Sequence, residues 1–262
     1  VENPQRTLSF DKPFLVIAHR GDSTHAPENT LAAFQRAIDT GADMIELDVQ
    51  LSADGVPLVF HDAVLNAHSN GEGLLSDYSA DVLRKLDAGS WFSNEFAGEK
   101  IPLLTDVLEL TKGKINLNIE IKPESVTESI EGGIEEIICR EVALFEMEDQ
   151  VIISSFDYRV LERTRKINSS IRTGLLYNRK ESGRLTPSEL VQKYGAFSFH
   201  CSRWQVRKQW IAQCKKMGTP VYVYTVNGRW TMKSLIKRGV AGIFSDKPGV
   251  LKDVSDEILQ LN

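Results

Sequence analysis

The chain is 262 residues long, 42% hydrophobic and 26% charged, which suits one globular domain with a full core and excludes disordered, collagen-like and coiled-coil readings. Lys and Arg number 31 against 36 Asp and Glu, so the net charge is −5. That field repels a phosphate backbone and argues against nucleic acid as a main partner unless a local basic patch overrides it.

Taken from the N-terminus, strand-like runs fall at Phe14–His19, Met44–Val49, Val56–His61, Ile115–Ile121, Val151–Ser155, Ile171–Leu176, Ala196–His200, Val221–Val226 and Ala241–Ser245. Amphipathic stretches separate most of them. Thr30–Asp39 places Leu31, Phe34 and Ile38 on one face, with Asn29 or Thr30 as cap and Gly41 as terminator; Val206–Met217 and Arg229–Arg238 follow the same logic. Strands alternating with helices of this length predict a parallel sheet with crossover helices. One run is surplus to eight. Met44–Val49 and Val56–His61 lie too close for a crossover, and Asp54-Gly55 between them signals a hairpin. The prediction is a TIM (β/α)8 barrel with one extra antiparallel strand, of the usual size of about 250 residues; an open doubly wound sheet is the alternative. With Asp54 and Gly55 as the two turn residues, Ala53 faces Val56 and Asp48 faces His61. Residues 1–262 are expected to form a single domain with a small insertion at about 63–103, which carries a short helix near Ala80–Leu86 and the aromatics Trp91, Phe92 and Phe96. An insertion at a strand end is either a lid over a site or a packing cap.

Cys139, Cys201 and Cys214 are widely spaced and form no CxxC pair, so neither a disulfide framework nor a structural zinc site is expected. No apolar run approaches the roughly 18–20 residues of a membrane span, and no signal-peptide pattern opens the chain. The expectation is a cytoplasmic chain without a transmembrane segment.

Alternation along two strands carries the chemistry. In Met44–Val49, Glu46 and Asp48 share a face opposite Ile45, Leu47 and Val49; in Ile115–Lys122, Asn116, Asn118, Glu120 and Lys122 share a face opposite four aliphatics. The aliphatic faces belong against helices, so the carboxylates point into the barrel, where they are costly unless paired or bound to a metal. Glu46, Asp48 and Glu120 make a hard-oxygen set suited to one divalent cation, Mg²⁺ or Ca²⁺. The plainer reading is a Glu120–Lys122 ion pair with Glu46 and Asp48 capping loops. His19-Arg20-Gly21 ends the first strand, where barrel active sites gather, and Arg20 offers a planar fork for phosphate oxygens. His19 and His61 at strand ends suit acid/base work; His25, His68 and His200 read mainly as structural, with His200 the strongest exception because it also ends a strand.

Several short motifs occur in order over nearly the whole chain: His19-Arg20-Gly21, Pro27-Glu28-Asn29-Thr30, Gly41-Ala42-Asp43 leading into Glu46-x-Asp48, Asp54-Gly55, and His61-Asp62. They continue with Leu86-Asp87-Ala88-Gly89, Ile101-Pro102-Leu103-Leu104, Glu120-x-Lys122, Ser154-Ser155-Phe156, Thr225-Val226-Asn227 and Gly242 to Pro248. Together they resemble the glycerophosphodiester phosphodiesterases. The resemblance implies a TIM barrel with a small insertion that hydrolyses glycerophosphodiesters to sn-glycerol 3-phosphate and an alcohol with one divalent metal. By position it makes His19 and His61 the acid/base pair, Glu46, Asp48 and Glu120 the metal ligands, and Arg20 and Lys122 the phosphate contacts. Phe156, Tyr224 and Trp204 offer rings for the glycerol or headgroup, or serve as ordinary core and surface aromatics. Two departures bear on the headgroup. Leu65-Asn66-Ala67-His68 stands where the family usually has Leu-x-Arg-Thr-Thr, and Tyr224 stands where Trp is common. Two other readings keep the barrel. One is a lysophospholipase D, its acyl groove built by Trp91, Phe92 and Phe96; the other is a catalytically silent barrel that binds phosphorylated metabolites.

Overall fold

The computed structural model describes residues 8–259. Its strands are β1 Leu15–His19, β2 Met44–Leu51, β3 Pro57–Val59, β4 Asn116–Ile121, β5 Val151–Ser155, β6 Arg172–Leu176, β7 Ser198–Ser202, β8 Val221–Tyr224 and β9 Gly242–Ser245. The helices are α1 Leu31–Asp39, α2 Ala80–Leu83, α3 Leu104–Thr111, α4 Ile134–Leu144, α5 Tyr158–Ile167, α6 Arg179–Ser182, α7 Pro187–Tyr194, α8 Lys208–Lys216, α9 Arg229–Lys237 and α10 Pro248–Leu259. All strands except β3 pair in parallel in one ring, which β1 closes by pairing with both β2 and β9. The extra strand is the one the sequence singles out: β3 lies antiparallel on β2, outside the ring.

The hairpin register differs from the expected one by a residue. Val49 pairs with Val59, Gln50 with Leu58 and Leu51 with Pro57, so the amide of Phe60, not of His61, reaches the carbonyl of Asp48. The cause is the loop. Ser52 and Val56 close it around three residues, and Gly55 takes the left-handed conformation at φ 74°. Asp54 is drawn away from a two-residue turn because its carboxylate accepts from the Ser52 hydroxyl at 2.6 Å and the Ala80 amide at 2.9 Å. β3 therefore ends at Val59, and His61 lies beyond it.

Alternation sorts the strand faces as expected. Ile45, Leu47, Val49, Leu117, Ile119 and Ile121 are buried against Phe34, Val107, Ile138 and Leu161 of the surrounding helices. Each such burial is worth about 1.5–3 kcal/mol, so the aliphatic faces decide which side of each strand turns outward. Inside the ring, Leu15, Ile17, Met44, Ile152, Tyr222 and Phe244 form a second apolar cluster. His19, Glu46, Asp48, Asn118 and Glu120 continue the same inward faces toward the strands' C-terminal ends. Thr30 caps α1 by accepting from the Ala33 amide.

Between Ala63 and Leu103, Leu65, Leu75, Leu83 and Ile101 pack with Leu58 and Phe60 into a separate small core. Trp91, Phe92 and Phe96 meet edge to face in sequence, and Trp91 also meets the ring of His68 at 4.5 Å. Cys139, Cys201 and Cys214 are free and buried. Among the described residues no helix is long and apolar enough to cross a membrane.

His200 is fully buried, with Nε2 2.8 Å from the Ser198 hydroxyl and its ring against Tyr222 and Phe244. Burial pushes its pKa down to about 3. The unfolded chain thus binds a proton below its ordinary pKa of about 6.5 while the folded one does not. This group's contribution is complete above that value and is lost as pH falls toward 3, at up to about 1.4 kcal/mol per pH unit. Urea denaturation between pH 6 and 4.5 should show a shallower decline for His200→Gln than for the parent; an unchanged slope would rule the group out.

Candidate active site

One cavity of about 220 Å³ opens where β1, β2, β4, β5 and β8 end. Its lining contains His19, Arg20, Glu46, Asp48, His61, Glu120, Lys122, Phe156 and Tyr224, all of them residues that the sequence offers for the site. Asn118, Leu176, Thr225 and Phe244 complete the wall. Trp204 does not line it and is 82% exposed. His200 is sealed inside the ring, away from the cavity.

The first turn after β1 is a strained one. Arg20 is left-handed at φ 56°, followed by Gly21 at φ 88°. A Cβ at Gly21 would lie 2.7 Å from Ala33 of α1, so the chain can bend there only with glycine. This bend aims the Arg20 amide at the carbonyl and carboxylate of Glu46, at 2.9 and 3.1 Å. The Arg20 guanidinium binds Glu28 at 2.7 Å and lies 3.3 Å from Asp48. Asn29, also left-handed, donates to Asp48 at 2.9 Å and accepts from its amide at 3.3 Å. The Pro27–Thr30 motif thus tethers an arginine, orients a carboxylate and caps a helix.

Glu46, Asp48 and Glu120 bring carboxylate oxygens within 4.8 Å of one another. Register explains why: Asp48 and Glu120 are direct neighbours across β2 and β4, with Glu46 two residues earlier on the same face. Lys122 reaches Glu120 at 3.3 Å and Asp48 at 3.5 Å, so the ion pair of the plainer reading exists within the cluster. It does not balance it. Burial, then repulsion from Asp48 and Glu120, holds Glu46 well above the usual carboxylate range. Burial and Asp48 push Glu120 up to about 7 against the pull of Lys122. Burial also acts to raise Asp48, but Arg20, Lys122, His61 and the Asn29 hydrogen bond outweigh it and hold Asp48 below its ordinary value. Two of three carboxyls are therefore short of positive charge. Asn118 on the same wall leaves its buried Oδ1 without a hydrogen-bond partner. A hard divalent cation fits this donor set.

Both histidines have a carboxylate on Nδ1. His19 lies 2.7 Å from Asp246, which Asn227 also binds, and its Nε2 is 3.9 Å from Glu46. His61 lies 3.1 Å from Asp62, whose second oxygen is 2.6 Å from Nδ1 of His68. With Nδ1–H donated to the carboxylate, Nε2 of each ring is left to carry the mobile proton. Burial opposes ionisation of Asp62 and Asp246, yet their imidazole partners and, for Asp246, Asn227 keep both below the usual range. Reading the sequence for chemistry assigns no role to Asp62, Asp246, Glu28 or Asn227, although all lie inside its motifs. For Asp62 the adjacent His61 was a usable signal; Asp246 is 227 residues from its partner and had none. The insertion touches the site through His68, whereas Trp91, Phe92 and Phe96 do not line the cavity.

A larger groove, of about 500 Å³, lies at the opposite end of the barrel among Phe10, Phe14, Ile211 and Ile236. Among the described residues Asp11 is its only carboxylate and no histidine lines it, so no cluster of acid/base or metal-binding groups is seen there.

Comparison with known proteins agrees with this geometry. The chain is 42% identical over 238 residues to the glycerophosphodiester phosphodiesterase of Caldanaerobacter subterraneus subsp. tengcongensis, covering 90% of this chain and 96% of that one. It is 33% identical to the glycerophosphodiester phosphodiesterase of Bacillus altitudinis, over 93% and 98% of the two chains. Among solved structures, a phosphodiesterase of Oleispira antarctica in complex with the product sn-glycerol-3-phosphate superposes with TM-score 0.80 at 30% identity, covering 92% of this chain and 96% of that one. A putative glycerophosphoryl diester phosphodiesterase from Silicibacter pomeroyi, at 24% identity, shares the fold with TM-score 0.85 over 94% of each chain. The model of the glycerophosphoryl diester phosphodiesterase family matches residues 19–250, from the first histidine of the cavity to the start of α10, and the chain belongs to that family.

Proposed function

We propose that the chain hydrolyses glycerophosphodiesters to sn-glycerol 3-phosphate and an alcohol, with one divalent cation, Mg²⁺ or Ca²⁺, held by Glu46, Asp48 and Glu120. The observation that carries this reading is the convergence of two carboxylate-backed imidazoles on one cavity with three carboxylates and two cationic side chains. The product bound by the Oleispira antarctica relative supports the substrate class. When bound, the cation would neutralise phosphate charge as a Lewis acid.

The chain's own groups supply the rest. Arg20 and Lys122 orient the phosphate and stabilise the charge that grows on its non-bridging oxygens. One imidazole takes the proton from the nucleophile, water or the adjacent glycerol hydroxyl, as the new P–O bond forms, and the other delivers a proton to the alcohol oxygen as the old P–O bond breaks. Where the glycerol hydroxyl attacks, a water then opens the cyclic phosphate to sn-glycerol 3-phosphate with the two proton transfers reversed. Asp62 and Asp246 hold the two rings in the tautomer that this exchange requires. Phe156 and Tyr224, edge to face at 6.3 Å, wall the side of the cavity where glycerol or headgroup carbons would lie. The insertion lies outside the cavity lining and, through His68 on Asp62, braces His61 from behind, within a single domain.

The test is a panel of glycerophosphodiesters assayed after chelation and after return of Mg²⁺ or Ca²⁺. Activity should vanish with chelator and return with cation. Full turnover in metal-free buffer would overturn the carboxylate assignment, and no turnover of any diester with either ion would overturn the reaction.

A further inference from the structure

We propose that the rim formed by the segments after β6, β7 and β8 is a docking surface for an anionic lipid bilayer. These segments leave the same end of the barrel as the strand ends that line the cavity. Two of the most exposed large apolar side chains among the described residues stand there: Trp204, 82% exposed, just past β7, and Trp230, 88% exposed, in the first turn of α9 just past β8. β7 and β8 are hydrogen-bonded neighbours, with Ser202 opposite Tyr224, and the Arg203 amide donates to the Tyr224 carbonyl at 2.8 Å. The two indoles therefore rise from adjoining, mutually anchored segments.

Charge on this rim is opposite to that of the whole chain. The connections 177–186 and 203–208 hold Arg179, Lys180, Arg184, Arg203, Arg207 and Lys208, all exposed, against a single acid, Glu181. Among the described residues, none of these six forms an ion pair with a carboxylate. A chain of net charge −5 that gathers unpaired cations beside two solvent-facing indoles has the composition of an interfacial anchor. The rings sit at headgroup depth and the cations meet anionic phosphates. Single-stranded nucleic acid also favours basic and aromatic groups. One face of Trp204 is already covered by the Arg203 guanidinium at 4.4 Å, which hinders base stacking there but leaves the ring edge free to enter a headgroup layer. Docking this rim brings the cavity mouth to the membrane, whatever the cavity hydrolyses.

The experiment is co-sedimentation of the full chain with vesicles of phosphatidylcholine alone and of phosphatidylcholine mixed with phosphatidylglycerol. Binding should require the anionic lipid, weaken with salt, and fall about tenfold or more in the double variant Trp204→Ala/Trp230→Ala and in Arg203→Glu/Arg207→Glu. Turnover of soluble glycerophosphocholine should stay at the parental level in both, which shows that they are folded. Equal binding to neutral vesicles, undiminished binding by the double tryptophan variant, or tighter binding of single-stranded DNA than of vesicles would each overturn the proposal. Vesicle binding is read without turnover, so failure of the hydrolase reading and failure of docking are separate results.

Discussion

Replacing His19 or His61 with alanine is expected to lower kcat for glycerophosphocholine about 10²- to 10⁴-fold, the usual cost of removing a general acid or base. Stability should barely change, because both rings are partly exposed at the cavity mouth and neither belongs to an apolar cluster. The carboxylates behind them give a graded series. Asp246→Asn and Asp62→Asn keep the shape but offer an amide in place of an acceptor-only carboxylate, so the ring orientation and tautomer are no longer enforced. These variants should lose kcat by less than the alanine variants, with KM little changed. Steady-state kinetics beside thermal melts decide the matter. A His19→Ala or His61→Ala protein that melts normally and turns over at a near-parental rate removes that histidine from the mechanism.

The series also marks what was legible in the sequence. Glu46, Asp48 and Glu120 could be placed together because period-2 alternation fixes the face of every strand residue, and aliphatic burial fixes which face turns outward. Nine strand-like runs with one hairpin signal then gave the ring and its extra strand. What depends on loop conformation was not legible. The hairpin slipped one residue because Asp54 bonds Ser52 and Ala80, and Ala80 is 26 residues away. Asp246 meets His19, and Asn227 meets Asp246, only once the ring closes. Trp204 shows the same limit: an aromatic just past a strand end fits a cavity wall or a solvent-facing rim equally well until the backbone path is known.

The largest loss of stability is expected from a residue with no part in the chemistry. Arg163 of α5 is buried, with its guanidinium 3.1 Å from Glu135 at the start of α4, 2.7 Å from the Thr127 carbonyl and 2.9 Å from the Glu128 carbonyl. Glu135 is fully buried, and its second oxygen has no partner. Arg163→Met leaves that carboxylate unpaired in the core and frees two carbonyls. Breaking one partner of a buried pair costs about 3–5 kcal/mol, most of it the penalty of the stranded charge. Adding Glu135→Leu to the variant should recover much of the loss, because the stranded charge is then gone, and the gain measures the coupling. Thr127 and Glu128 lie in the connection between β4 and α4, which begins at Lys122, so the network also holds the exit of the strand that carries Glu120. At temperatures where the variant remains folded, a looser exit should raise KM through Lys122 while kcat at saturation stays near parental. Urea denaturation and kinetics on the same samples separate this from the histidine series. A lowered midpoint with intact kcat assigns Arg163 to support of β4, whereas a kcat collapse without loss of stability would place it in the chemistry and contradict the geometry.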